Sequence, residues 1–368
     1  MTETIRVIWV AAPYKIHLYS SIAKFFPRNI ELKVVSAAMA YNGTIPLLRR
    51  SKRYRHGIWF LPRRELLRQF TAFHPDVVLT DYPAYPSWYA RLYSHLSQHK
   101  VPLVTWLLGD FWTEYYALLR SQRLRDRPSV RAYLFTWATG LGLSNRVLTV
   151  CEWLKKRAEQ RLPRKRISVQ YQGVDPEPWL MKDGTSYDFK RPAVGILQDN
   201  NIRPKVEGLL RFVEVLKKMP KVNFYIAGGG PYTSLVNDAF SGITNAHLIG
   251  RVPYPEGVRR FYRSCDLYAL PSGLDCCPTT LLEASLNSLP AVASRVGGIP
   301  ELVREGETGW TVPNGRTDEW VAKIRGLLED RELALRMGAQ AKEHVLANFT
   351  WKTQAQSLGK VFQEELSR

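Results

Sequence analysis

The stretch SGLDCCPTTLLEAS, residues 272–285, sets two carboxylates, Asp275 and Glu283, on either side of a Pro-Thr-Thr turn. Pro278 suits the first turn of a helix, because its φ is already helical and the N–H it lacks has no intrahelical partner there. Thr279 and Thr280 then lie where free backbone N–H groups and the positive end of the helix dipole favour a phosphate. Glu283 follows Thr279 by four residues and Thr280 by three, which puts all three on one side of the helix. A nucleotide-sugar needs that order: acceptors for sugar hydroxyls, N–H groups for a diphosphate, and a carboxylate for the ribose. Thr280-x-x-Glu283 also fits a capping box, in which Thr caps the helix and Glu returns to the Thr backbone. This stretch alone leaves both readings open.

The elements that must position these residues are legible as alternating apolar runs. Strands are expected at 5–11, 30–36, 77–80, 101–107, 146–150 and 167–171, with helix-length segments such as 18–26 and 87–98 between them. After Gln172-Gly173-Val174-Asp175 a polar, Pro-containing linker is expected over 176–192. The alternation then restarts, with strands at 193–197, 222–227, 247–249, 267–270 and 291–294 and helices near 206–218, 254–265 and 279–286. The class this predicts is α/β, with two doubly wound, Rossmann-like domains (1–175 and 193–348) facing across a cleft. Open sheets of this kind bind ligands at the carboxyl ends of their strands. Trp351, Leu358, Val361, Phe362 and Leu366 give residues 349–368 the spacing of an amphipathic terminal helix.

Composition narrows the function. The four cysteines, Cys151, Cys265, Cys276 and Cys277, form no CxxC pair, which predicts a reducing compartment with neither a disulfide framework nor a zinc site. No secretory leader is expected from the opening residues. The most apolar window, 133–143, is far shorter than the ~20 residues of a bilayer span. A cytoplasmic protein follows as the expectation.

The formal net charge is +19, and basic residues thicken at 49–70 and 120–137, interleaved with Trp, Phe and Tyr. Such stretches suit an anionic membrane surface or an anionic substrate. A solvated basic surface on a soluble enzyme is the plainer alternative. Nucleic acid is not the expected partner, because no recognition-helix motif, RNP-like strand or zinc finger accompanies the charge.

Around the opening stretch, glycines end several strands: Gly228-Gly229-Gly230-Pro231, Gly250, and Gly297-Gly298 before Ile299-Pro300-Glu301. With Pro271-Ser272, Asp275-x7-Glu283 and Gly306-Glu307-Thr308-Gly309, the set resembles family 4 of the retaining GT-B glycosyltransferases. The segments CEWLKKRAEQ, QGVD and FTWKTQAQSL extend the likeness over most of the chain.

The resemblance implies transfer of a sugar from a nucleotide diphosphate-sugar to an acceptor, with retention and without a metal or other cofactor. It implies a terminal helix that returns to the first domain. Glu283 would bind the ribose, Pro278, Thr279 and Thr280 the diphosphate side, and Asp275 with the backbone of Cys276 and Cys277 the sugar. Gly229 would help hold the donor, and the segment Gly250-Arg251-Val252 would lie against its base. Lys205 matches the family's diphosphate lysine, while Asn200 stands at the usual arginine position and Arg203 is the nearest substitute.

In the first domain, which selects the acceptor in this fold, Tyr14, Lys15 and His17 lie in a loop lacking the usual Gly-Gly. Gly109 and Asp110 stand where a His commonly faces the reacting sugar, and Asp110 equally fits a helix N-cap. A lipid-linked or saccharide acceptor at the cytoplasmic membrane face is the reading carried forward. Against it stand a soluble enzyme with a small acceptor, a nucleotide-sugar epimerase of the same architecture, and a donor-binding protein without transfer activity.

Overall fold

The computed structural model describes residues 4–12, 19, 22–37, 64–114, 127–181 and 186–368. Its strands are β1 (Ile5–Ala11), β2 (Ile30–Ser36), β3 (Val77–Thr80), β4 (Leu103–Leu107), β5 (Arg146–Thr149), β6 (Arg166–Val169), β7 (Ala193–Leu197), β8 (Asn223–Ala227), β9 (Ala246–Gly250), β10 (Leu267–Leu270), β11 (Ala291–Ser294) and β12 (Gly309–Val312). They build two parallel sheets, ordered β2-β1-β3-β4-β5-β6 and β12-β11-β10-β7-β8-β9. Val7 to Ala11 of β1 are all buried, so the strand reads as a continuous apolar run. That pattern belongs to a sheet covered by helices on both faces.

The chain divides into two compact units, Met1–Tyr171 with Trp351–Arg368, and Gln172–Thr350. In the first, the terminal helix Trp351–Leu366 completes the core. Phe362 stacks on Phe26 with centroids 6.3 Å apart, and Trp351 meets the rings of Tyr19 and Trp106 edge-on. Buried Gln170 donates its amide to the Gln354 side chain at 2.7 Å. Arg166 pairs with buried Glu365 at 2.6 Å. In the second unit, Phe212, Phe224 and Trp320 interlock edge-to-face at the centre of the apolar core.

Several expected elements are redrawn. The helix expected at 206–218 starts at Arg203 and breaks at Phe212 into Arg203–Arg211 and Val213–Lys218. The ring of Phe212 is held between Phe224 and Trp320, so tertiary packing fixes the break. Of the helix expected at 18–26, a single 3-10 turn, Ile22–Phe25, is described; Pro27 disfavours helical geometry just before it. Strand β12 is additional, four residues directly after the Gly306–Gly309 turn. The linker contains a short helix, Glu177–Leu180, that buries Trp179.

Phe362→Ala removes a fully buried ring from the first unit. It is expected to cost about 3–5 kcal/mol in chemical denaturation. Hydrogen exchange on β7 to β12 should stay unchanged.

Candidate active site

The order of the second sheet reverses between β7 and β10, whose chains pair at Leu267–Val194 and Tyr268–Gly195. Loops leaving adjacent strands at such a point diverge and open a crevice at the carboxyl edge. The β7 loop leads into the helix Arg203–Arg211, and the β10 loop into the helix Thr279–Leu286.

Two glycines bring helix and loop together. A Cβ on Gly208 would stand 2.3 Å from the nitrogen of Gly273, and one on Gly273 would stand 2.0 Å from the carbonyl oxygen of Pro204. The N–H of Gly273 donates to the carbonyl of Lys205 at 3.0 Å. This backbone-to-backbone contact sets Lys205 Nζ 2.8 Å from Asp275 Oδ2, both side chains less than a fifth exposed. The β11 loop supports Asp275 from behind, its carbonyl accepting the N–H of Gly298 at 3.1 Å. Gly297 adopts φ +55°, and a Cβ there would lie 1.9 Å from that same carbonyl oxygen, so the position requires glycine.

Glu283 is buried one turn into its helix. Its Oε2 lies 3.5 Å from the hydroxyl of Tyr262, which also donates to the carbonyl of Thr280 at 2.9 Å. Burial pushes the Glu283 carboxyl up from 4.5 to about 8; Tyr262's donation works against the rise and Asp199 adds to it. No side chain caps this helix, whose N-cap is Pro278. The capping box Thr280-x-x-Glu283 therefore does not form, and the carboxylate faces Tyr262 instead.

Beside β7, the ends of β8 and β9 are tied together: Gly228 N–H donates to Gly250 at 2.8 Å and Asn200 N–H to Gly229 at 3.2 Å. A Cβ on Gly229 would meet the Arg251 Nε at 2.6 Å, so the Arg251 side chain lies across the glycine turn. Arg251 has no carboxylate partner among the described residues. Gln198 and Asn200 are buried at this edge. Both amide atoms of the Gln198 side chain and the oxygen of Asn200 lack a hydrogen-bond partner among the described residues. Buried polar groups in that state call for a ligand or water.

The other expected residues fall as follows. Arg203 is 66% exposed and pairs with Glu207 on its own helix at 3.2 Å, away from the Lys205–Asp275 pair. Cys276, Cys277 and Pro278 are buried, while Thr279, Thr280 and Val252 are half-buried. Gly109 and Asp110 follow β4 in the first unit. Asp110, expected as a catalytic candidate, is fully buried, pairs with Arg157 at 3.1 Å and accepts the N–H of Thr113 at 3.4 Å. These contacts match the helix cap, the other role expected of it: its carboxylate anchors the chain after β4. Tyr14, Lys15 and His17 lie outside the described residues. Sequence reasoning missed Tyr262 and Gln198, because an aromatic on an amphipathic helix and an amide at a strand end carry no signal of what they face.

Unfolded, Glu283 titrates near 4.5, and folded near 8. Its raised folded value contributes stability that is full below pH 4.5 and is lost as pH rises through 8. The isostere Glu283→Gln lacks this ionisation. Thermal melts of the two proteins should therefore diverge between pH 5 and 8, the wild type losing ground, and run parallel above that range.

Two family models match in succession: Glycosyltransferase Family 4 over residues 10–178 and Glycosyl transferases group 1 over residues 196–344. The D-inositol 3-phosphate glycosyltransferase of Corynebacterium efficiens is 38% identical over 110 residues, 30% of this chain and 26% of that protein. The GDP-mannose-dependent alpha-(1-6)-phosphatidylinositol monomannoside mannosyltransferase of Mycolicibacterium smegmatis is 30% identical over 181 residues, 46% of this chain and 47% of that protein. The matched region thus spans between a quarter and a half of these relatives' length. Among solved structures, Anabaena HepE in complex with UDP superposes with a TM-score of 0.69 at 14% identity, covering 98% of this chain and all of that one. Matching glycosyltransferase models over both halves mark the chain as a glycosyltransferase, and its two parallel α/β sheets have the GT-B fold.

Proposed function

We propose that the protein transfers a sugar, with retention, from a nucleotide diphosphate-sugar held at the carboxyl edge of the second sheet. The observation that carries this is the convergence of Lys205, Asp275 and buried Glu283 at the β7/β10 switch point, beside an uncapped helix end. Glu283 accepts hydrogen bonds from the ribose hydroxyls, oriented by Tyr262. The N–H groups at Thr279 and Thr280 receive the diphosphate. Lys205 exchanges Asp275 for a phosphate oxygen, which frees the Asp275 carboxylate to accept sugar hydroxyls. Arg251, lying over Gly229, supplies the second cation in place of the arginine missing at Asn200.

In this reaction the bond between the anomeric carbon and the phosphate oxygen breaks as the acceptor oxygen bonds to that carbon on the same face. The acceptor proton passes to a donor phosphate oxygen. Lys205 and Arg251 stabilise the charge that develops on the leaving diphosphate, with no resident metal. HepE has been solved with UDP and with UDP-glucose, which supports a nucleotide diphosphate-sugar donor. A lipid-linked or saccharide acceptor at the cytoplasmic face of an anionic membrane completes the reading. The net charge and the name of the mannosyltransferase relative support it.

Four measurements test the proposal. In a thermal-shift screen of UDP, GDP, ADP and their sugars, one nucleotude series should raise Tm, by about 2.7 kcal/mol of added stability at 100 times Kd. Affinity for that nucleotide should increase between pH 6.5 and 8 in the wild type and stay flat in Glu283→Gln, because ribose binding favours the ionised carboxyl. Lys205→Ala should lower kcat by about 10²–10³-fold. Arg251→Ala should weaken diphosphate binding about tenfold or more while leaving nucleoside binding unchanged.

A further inference from the structure

The helix Tyr85–Leu96 turns Ala90 and Tyr93 into the core of the first unit. On its other side Trp88, Leu92 and Leu96 recur every fourth residue, 41%, 43% and 61% exposed. Three large apolar side chains in register on one helix face are a stripe, not scattered surface residues. The neighbouring helix, Arg127–Leu143, packs closely enough that a Cβ on Gly140 would stand 1.5 Å from the carbonyl oxygen of Pro83. It carries Phe135, 64% exposed. Arg91 donates its guanidinium to the carbonyl of Leu143 and to Asn145 at the end of that helix, fixing one helix against the other.

Charge identifies what such a face would meet. No Asp or Glu occurs between Asp81 and Asp110, and none occurs in residues 127–143. Over the whole first unit, 31 Lys and Arg stand against 12 Asp and Glu; over the second, 21 stand against 21. The entire excess of +19 therefore belongs to the unit that exposes the stripe. Apolar and aromatic side chains exposed on a unit with this excess of positive charge match the boundary of an anionic bilayer, where rings and leucines enter the acyl edge and cations meet the headgroups.

We infer that Trp88, Leu92 and Leu96 form the face by which the first unit docks on an anionic lipid surface. The inference rests on the membrane part of the reading above and is independent of the donor site. No helix among the described residues is long and apolar enough to cross a membrane, so the contact here is interfacial.

The test uses the full chain with vesicles of phosphatidylcholine alone and of phosphatidylcholine with phosphatidylglycerol. Wild type should sediment with the anionic vesicles, in a salt-sensitive manner, and much less with the neutral ones. The double variant Leu92→Glu/Leu96→Glu, which alters only exposed positions, should bind anionic vesicles at least tenfold more weakly while keeping its nucleotide-induced thermal shift. Leu335→Glu, at a position equally apolar and 64% exposed on the second unit, should bind as wild type does. If wild type does not bind, both this face and the membrane part of the proposed function fall, and the donor reading stands. If wild type and the double variant bind equally, this face alone is overturned. Concentration-dependent dimerisation that the double variant abolishes, with vesicle binding unchanged, would instead assign the stripe to a second copy of the chain.

Discussion

Gly208 and Gly273 meet where the helix after β7 crosses the loop after β10, and neither position has room for a side chain. Lys205 and Asp275 come from elements that the sheet order sends to opposite sides of the switch point, and this contact lets them pair at 2.8 Å. An ion pair this secluded adds little net stability, since desolvation offsets much of its attraction. Its consequence is positional. The ammonium and the carboxylate hold each other at the carboxyl edge of the sheet, and in the proposed reaction each is drawn off by a better partner: phosphate for the lysine, hydroxyl donors for the aspartate.

Glu283 obeys a different balance. Fully desolvated, with one long hydrogen bond from Tyr262, its carboxyl is driven toward the neutral form. A structural carboxylate at that depth would be accompanied by a cation or by several N–H donors, as Asp110 is by Arg157 and Thr113 in the first unit. The contrast between the two buried acids is informative. Asp110 has the cation Arg157 beside it, whereas Glu283 has no cation partner among the described residues; in the proposed reading two ribose hydroxyls take that place. The helix that carries Glu283 likewise leaves its first N–H groups without a side-chain cap.

How much of this was legible in the sequence follows from the range of each interaction. Alternating runs located most strands to within a residue or two, because burial on both faces makes Val7 to Ala11 of β1, Val77 to Leu79 of β3 and the whole of β10 apolar. The Gly-Gly of residues 297–298 was legible as the end of a strand, though not that it comes within van der Waals distance of the carbonyl of Asp275. The break at Phe212 was hidden, since it depends on rings more than ten residues away in Phe224 and Trp320. Asp110 was ambiguous for the same reason: Arg157, which decides between a cap and a reacting group, lies 47 positions further along. Arg251 was read as lining the base, and only the space above Gly229 shows that its side chain folds back over the turn.

The distribution of charge separates the two tasks proposed for the chain. A unit with balanced charge can hold an anionic donor through a few placed cations, Lys205 and Arg251 among them, without a broad field retaining every polyanion. A unit with all of the excess positive charge has long-range attraction for anionic surfaces but weak discrimination among them. Geometry has to supply that discrimination, and under the docking inference it comes from apolar side chains in register on a single helix, which gain only where an acyl edge lies beneath the headgroups. Attraction over a Debye length and burial over a few ångströms are then successive filters on the same encounter.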